Sequence, residues 1–297
     1  MNAKVISFVN MKGGVGKTTL TINIGNELAK KGKRVLIVDM DPQFNATQSL
    51  LLYKTRLVNS GEANFDNEEV LVNQEIKSTE YYKELSNNKK TVLQLFEKTN
   101  IVEPLPNSGL DQKVSDNLYF IPGDLKVSKE IPGDNANKVG VLTKHFADNH
   151  ILEKYDYIFI DCPPTWSILT HSSLFASDYY VIPSKVDLYS SIGIKLLEEQ
   201  IDEKITNDTV YKMTGRKLKR LGVIFTLVHK KIKAEEDRMK YLKEEFRGDI
   251  EFFTSTFPHI PSISTKFIMI DEVRENSTYS ELVNSAEKIT DELISKI

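Results

Sequence analysis

The 297-residue sequence predicts an α/β fold in which a mostly parallel, twisted sheet is flanked by helices on both faces. Three observations carry this expectation. Short apolar runs rich in β-branched and aromatic residues recur without clean alternation, as strands buried on both faces require. Helical periodicities separate most of them. The first run opens into a glycine-rich loop and a helix and closes on a second run, a strand–loop–helix–strand unit.

KVISFVN (4–10) is the first strand and is followed by the loop MKGGVGKTT (11–19). In KTTLTINIGNELAKKG (17–32), Leu20, Ile24 and Leu28 recur at helical spacing, and Gly32 stands where the helix should end. RVLIVDMD (34–41) is the second strand. Residues 53–116 interrupt the alternation with polar pieces such as NSGEANFDNEE and SNNKK and one apolar stretch, TVLQLF; a disordered or loosely helical insertion is expected there. Further strands are expected at 117–123, 155–164, 177–185, 220–228 and 250–258, with helices around 139–154, 190–205, 234–247 and 276–297. No internal repeat is found, so residues 1–297 read as one domain with an insertion at 53–116.

With 40% hydrophobic and 27% charged residues, the composition is that of a soluble globular protein. No apolar run approaches the ~20 residues that span a bilayer. The N-terminus leads straight into a strand, without a signal-peptide core. The one cysteine, Cys162, excludes an intrachain disulfide and a four-cysteine metal site, and suits a reducing cytoplasm. The net charge of −3 hides an asymmetry: residues 209–234 hold eight Lys or Arg and no acid. A basic island on an otherwise acidic chain points to a localised anionic partner.

A phosphate-binding loop works because its glycines let backbone N–H groups converge on phosphate oxygens, while a lysine and a hydroxyl serve charge and Mg²⁺. Gly16, Lys17 and Thr18 match the end of that pattern, but Met11 replaces its first glycine. The stretch instead fits the variant K-G-G-x-G-K-[ST] through Lys12, Gly13, Gly14, Gly16, Lys17 and Thr18, with Val15 and Thr19 in the same cradle. VDMDPQ places Asp39 and Asp41 at a strand's C-terminal end, where ligands collect in open α/β sheets. YIFIDCPP puts Asp161 at the end of another strand, a position from which an acid can hold Mg²⁺ through water.

KGGVGKTT, VDMDPQFNAT and YDYIFIDCPPTW, in this order, resemble the ParA/MinD group of deviant Walker-A P-loop ATPases, and their details favour the ParA branch. The resemblance runs from Lys4 to about Asp187, excepting the insertion, and more faintly beyond. It implies an ATP- and Mg²⁺-dependent homodimer in which Lys12 reaches the phosphates of the opposite subunit, as an arginine finger supplied in trans would. It further implies that Asp41 orients the attacking water, that Thr18 ligates Mg²⁺, and that Asp39 and Asp161 lie in or near the metal's outer shell. The DCPP turn, with Pro163 and Pro164, resembles a γ-phosphate switch. HKKIK and FPHIP depart from the family's usual turns near the base; Phe257 and Pro258 are the candidate walls for adenine.

In ParA-type proteins the ATP-bound dimer binds DNA without sequence preference. The resemblance therefore assigns Arg216, Lys217, Lys219, Arg220, Lys230, Lys231 and Lys233 to nonspecific DNA, with a ParB-type centromere-binding partner stimulating slow hydrolysis. The ATP state would then be cytoplasmic and nucleoid-associated. The first strand leaves no room in this sequence for the helix-turn-helix of larger members, so operator binding is not expected. The competing reading is a MinD-like positioning ATPase held on membranes by a basic amphipathic terminal helix. Residues 271–297 are amphipathic but carry seven acids against three bases, which favours packing on the sheet. A nitrogenase iron-protein relative would need cluster-ligating cysteines that this chain lacks. An amide-forming synthetase has no dedicated motif here.

Overall fold

The structure, a computed structural model, describes residues 2–58, 65, 67–96, 109–130 and 138–297. From the N-terminus, β1 (Lys4–Phe8) leads into α1 (Lys17–Lys30), β2 (Val35–Asp39) and α2 (Asn45–Val58). Next come α3 (Glu68–Asn87), α4 (Leu93–Phe96), β3 (Gln112–Ser115), β4 (Leu118–Ile121), α5 (Val127–Glu130), α6 (Val141–Asp148) and α7 (Ile151–Lys154). The second half holds β5 (Tyr157–Asp161), α8 (Ile168–Ala176), β6 (Tyr179–Lys185), α9 (Ser190–Ile201), α10 (Thr209–Met213) and β7 (Lys219–Val228). The chain closes with α11 (Lys233–Glu245), β8 (Phe257–Pro258), α12 (Pro261–Thr265) and α13 (Ser280–Lys296).

One eight-stranded sheet runs in the order β3-β4-β2-β5-β1-β6-β7-β8. All its pairings are parallel except β3 with β4, which is antiparallel and shifts register between Lys113 and Ser115. The absence of polar alternation in the strands follows from burial on both faces. Val35 and Ile37 join a core with Leu20, Ile24 and Leu28 of α1 and Leu282 and Ile289 of α13. Leu36 and Val38 face the other way, into a core with Phe146 of α6, Leu174 of α8 and Leu197 of α9. The terminal helix thus spends its apolar stripe on the domain itself, as its acidic sequence anticipates. Among the described residues, no helix is long and apolar enough to cross a membrane.

Two expectations need revising. The run at 250–258 yields only the two residues of β8 and an isolated bridge from Phe252 to Val223, because the pairing with β7 slips between Thr226 and Val228. Within 53–116, where a disordered or loosely helical insertion was expected, a well-formed 20-residue helix, α3, stands; residues 59–64, 66 and 97–108 lie outside the described residues. Asn67 caps α3 by accepting from the N–H groups of Glu69 and Val70, and two acids occupy its first turn. Its buried face is partly polar: Gln74 accepts from Arg56 Nε of α2 at 2.9 Å. The Arg56 guanidinium also pairs with Glu272 at 3.1 Å and donates to the carbonyls of Lys266 and Phe267.

Candidate nucleotide-binding site

A cavity of about 610 Å³ opens at the C-terminal ends of β1 and β2, lined by residues 13–19 of the glycine loop and by Asp41, Pro164 and Lys185, among others. Gly14 (φ +65°) and Gly16 (φ +77°) adopt left-handed backbone that other residues enter only with strain. Gly16 also caps α1, whose first turn has no acid, so the helix presents free N–H groups and its positive dipole end to the cavity.

Lys17 follows. It is buried, and among the described residues its Nζ donates to the Lys12 carbonyl alone, at 3.2 Å. Burial lowers its pKa, against the opposing pull of Asp161, Asp41 and Cys162. A polyanion in the cavity would supply the counter-charge this ammonium lacks.

Thr18 donates to Asp161 Oδ2 at 2.7 Å. The second oxygen of that carboxylate, Oδ1, is buried with no hydrogen-bond partner among the described residues. Burial, and then the neighbouring Asp39, raise the Asp161 pKa well above the ordinary carboxylate range. A hydroxyl beside an orphaned carboxylate oxygen fits a hard cation such as Mg²⁺. Among the described residues no cluster of three or more His, Cys, Asp or Glu could hold a metal ion, so phosphate and water would have to complete its shell.

The two acids of VDMDPQ part company. Asp41 lines the cavity and accepts from the Gln43 N–H at 2.9 Å. Asp39 is fully buried and accepts from Thr47 N, Thr47 Oγ1 and Asp41 N at 2.8, 2.7 and 3.2 Å. Burial pushes its pKa up to about 7. Thr47 Oγ1 in turn accepts from Gly123 N, so Asp39 braces the turn that carries Asp41 and has no place in the cavity lining. Cys162 is buried, its thiol pushed up to about 12 by burial: a packing residue.

Phe257 and Pro258, expected at the base, are buried in β8 and do not line the cavity. Its apolar wall is built instead from Val15, Ile22, Leu227, Ile263, Phe267 and Ile268, with His259 beside them. Motif reading could not find these, because the wall is assembled from segments far apart in sequence. Lys185, at the end of β6, and Ser49 of α2 are further lining residues the motifs missed.

Lys12 stands apart. It is half exposed, lies outside the cavity lining, and forms an ion pair with Asp187 just beyond β6. Burial works to raise the Asp187 carboxyl, but hydrogen bonds from Lys12 and Ser190 outweigh it and hold its pKa low.

Comparison with known proteins bears on the family. The AAA domain family AAA_31 matches residues 3–212. An uncharacterized protein of Methanocaldococcus jannaschii is 33% identical over 261 residues, 87% of this chain and 82% of its own length. The sporulation initiation inhibitor protein Soj of Bacillus subtilis is 29% identical over 251 residues, 83% of this chain and 81% of its own. The chain belongs to the ParA/Soj family of partition ATPases. Among solved structures, a plasmid partition protein of Borrelia burgdorferi bound to AMPPNP superposes with a TM-score of 0.67 at 22% identity, over 99% of this chain and 100% of that one; at this identity it shows a shared fold.

For a ParA-type ATPase the basic island is unexpectedly divided. Arg216, Lys217, Lys219 and Arg220 lie at or before the start of β7, while Lys230, Lys231 and Lys233 follow its end. A ten-residue strand spans roughly 33 Å, so the two groups cannot form one patch on a single chain. The two arginines are also committed internally. Arg216 donates to the carbonyls of Phe175 and Ala176 at 3.1 and 2.7 Å. Arg220 pairs with Glu198, whose side chain is 18% exposed. Lys217, Lys219, Lys231 and Lys233 are exposed; Lys230 pairs with Glu281 at 2.6 Å. Arg220→Ala is expected to destabilise the fold by about 2 kcal/mol, because it takes the counter-charge from the largely buried Glu198 carboxylate and leaves the Tyr180 hydroxyl, at 3.0 Å, as its remaining side-chain donor. Urea unfolding checks this: a midpoint equal to wild type would make Arg220 a surface residue after all.

Proposed function

We propose that this partition ATPase is a slow, dimerising switch: with ATP and Mg²⁺ bound, two copies pair face to face and hold nonspecific DNA, and hydrolysis releases it. The observation carrying the reading is the division of labour between two lysines. Lys17 is already buried in its own cavity, whereas Lys12 is exposed outside it, paired with Asp187 and free to exchange that partner for phosphate on an opposing copy. Mg²⁺ would offset triphosphate charge beside Thr18 and Asp161. The N–H groups of residues 13–19 cradle the phosphates, and Lys17 neutralises them in cis. Asp41 orients the attacking water, with Asp39 setting its turn from behind.

DNA is assigned to exposed lysines, Lys231 and Lys233 foremost, since they leave β7 at the same sheet end as the nucleotide. Lys230 is available once it leaves Glu281. Lys217 and Lys219 form a separate, distal pair, and Arg216 and Arg220 serve the fold. A ParB-type partner would stimulate turnover, and the ATP state would be found on the nucleoid. The membrane-bound alternative loses its main support, because the apolar face of α13 is already buried.

The test is retention of random-sequence duplex. ATP, and not ADP, should yield binding that falls steeply with salt. Lys231→Glu with Lys233→Glu removes four phosphate contacts per dimer, so the log–log salt slope should shrink by about 3 to 4 while ATP turnover persists. Equal DNA affinity in both nucleotide states would overturn the switch. An unchanged slope in the double variant would move the DNA face elsewhere.

A further inference from the structure

The turn that carries Asp41 to the cavity is touched from outside by α3. Phe44, three residues after Asp41, has φ +41°, a left-handed conformation that costs a non-glycine residue free energy unless its surroundings enforce it. The turn is tied at both ends: Phe44 N–H donates to the Asp41 carbonyl at 2.8 Å, and Gln48 N–H donates to the Phe44 carbonyl at 3.0 Å. On one side Gly123 comes so close that an added Cβ would lie 3.0 Å from both Phe44 Cβ and the Asp39 carboxylate. On the other side the Phe44 ring stacks on Tyr82 of α3, with centroids 4.9 Å apart and planes at 22°.

Behind this stack lies a second cavity of about 470 Å³ between α2, α3 and residues 265–267, with Phe44, Tyr82 and Phe267 in its wall. Phe267 also borders the nucleotide cavity. Phe44 therefore has somewhere to go. If Tyr82 lets go, the Phe44 ring can swing into open space, its backbone can leave the left-handed region, and the Asp41 turn keeps its inner tie to Asp39 but loses its outer one.

We propose that Tyr82 is a positioning residue for hydrolysis, clamping Phe44 so that α3 keeps Asp41 in its water-orienting geometry. The inference rests on the reading of Asp41 given above. An aromatic pair of this geometry is worth up to about a tenfold bias between the clamped and released turns. Neither Tyr82 nor Phe44 lines the nucleotide cavity, so the bias acts on turnover and leaves ATP affinity alone.

The experiment compares kcat and ATP Kd for Tyr82→Ala, Tyr82→Phe, Phe44→Ala and Asp41→Ala in the full chain. Tyr82→Ala is expected to lower kcat roughly five- to tenfold with Kd within twofold of wild type, and Tyr82→Phe, which keeps the ring, to restore kcat. Phe44→Ala removes the same stack from the other side and should match Tyr82→Ala. The double variant should lose no more than either single one. If Asp41→Ala abolishes turnover while both Tyr82→Ala and Phe44→Ala keep it, the positioning role is overturned and the reading of Asp41 stands. If Asp41→Ala itself turns over normally, the underlying reading fails and the positioning role with it. Should Tyr82→Ala not fold, the Phe44→Ala and Tyr82→Phe pair decides. A kcat loss shared by Tyr82→Phe, or a parallel rise in Kd, would mean a general structural role and overturn the proposal.

Discussion

Lys17→Ala is expected to weaken ATP binding by about 3 kcal/mol, roughly 100-fold in Kd, without unfolding the protein. The two halves of that expectation have one cause. Without nucleotide, the Lys17 ammonium is buried with a single carbonyl for a partner, and burial lowers its pKa. Removing it relieves a desolvated charge but also takes a favourable positive charge from Asp161 and Asp41, and because these effects oppose each other thermal stability should change little. With triphosphate bound, the same ammonium is the charge the site most needs. Calorimetric titration paired with a melting curve reads both. A variant that binds ATP like wild type would show that the loop N–H groups suffice.

Asp41→Ala should leave ATP affinity intact or improved while hydrolysis falls by about 100-fold or more. Its carboxylate lines the phosphate cavity, where negative charge opposes binding, and its structural bond is to one N–H, of Gln43. The turn itself is braced independently through Asp39 and Thr47. The ATP-bound dimer should therefore accumulate, visible by sedimentation at saturating Mg-ATP together with single-turnover hydrolysis. Loss of hydrolysis in strict proportion to loss of ATP affinity would assign Asp41 to binding rather than to water.

What the sequence disclosed and what it concealed divide along physical lines. Doubly buried strands and a glycine loop write themselves into local composition, so β1, β2, β5 and the cradle at 13–18 were legible. The polar helix α3 was hidden because it docks partly by hydrogen bonds, Gln74 to Arg56, instead of an apolar stripe. The apolar wall of the nucleotide cavity was hidden because Leu227, Ile263 and Ile268 meet only after β7, α12 and the loop beyond them are placed. The basic island looked continuous because charge reads linearly, while a strand carries its two ends across the sheet. Whether an arginine is committed internally, as Arg216 and Arg220 are, depends on partners that no local pattern reveals.

The borders of the sheet set a limit on assembly. One flank ends in the four residues of β3, reversed in direction and interrupted by a slip; the other ends in the two residues of β8. A neighbouring molecule seeking to extend the ladder finds too short a template at either margin. Among the described residues, the sheet margins thus favour stacking through side chains on helices and loops over extension of the strand ladder.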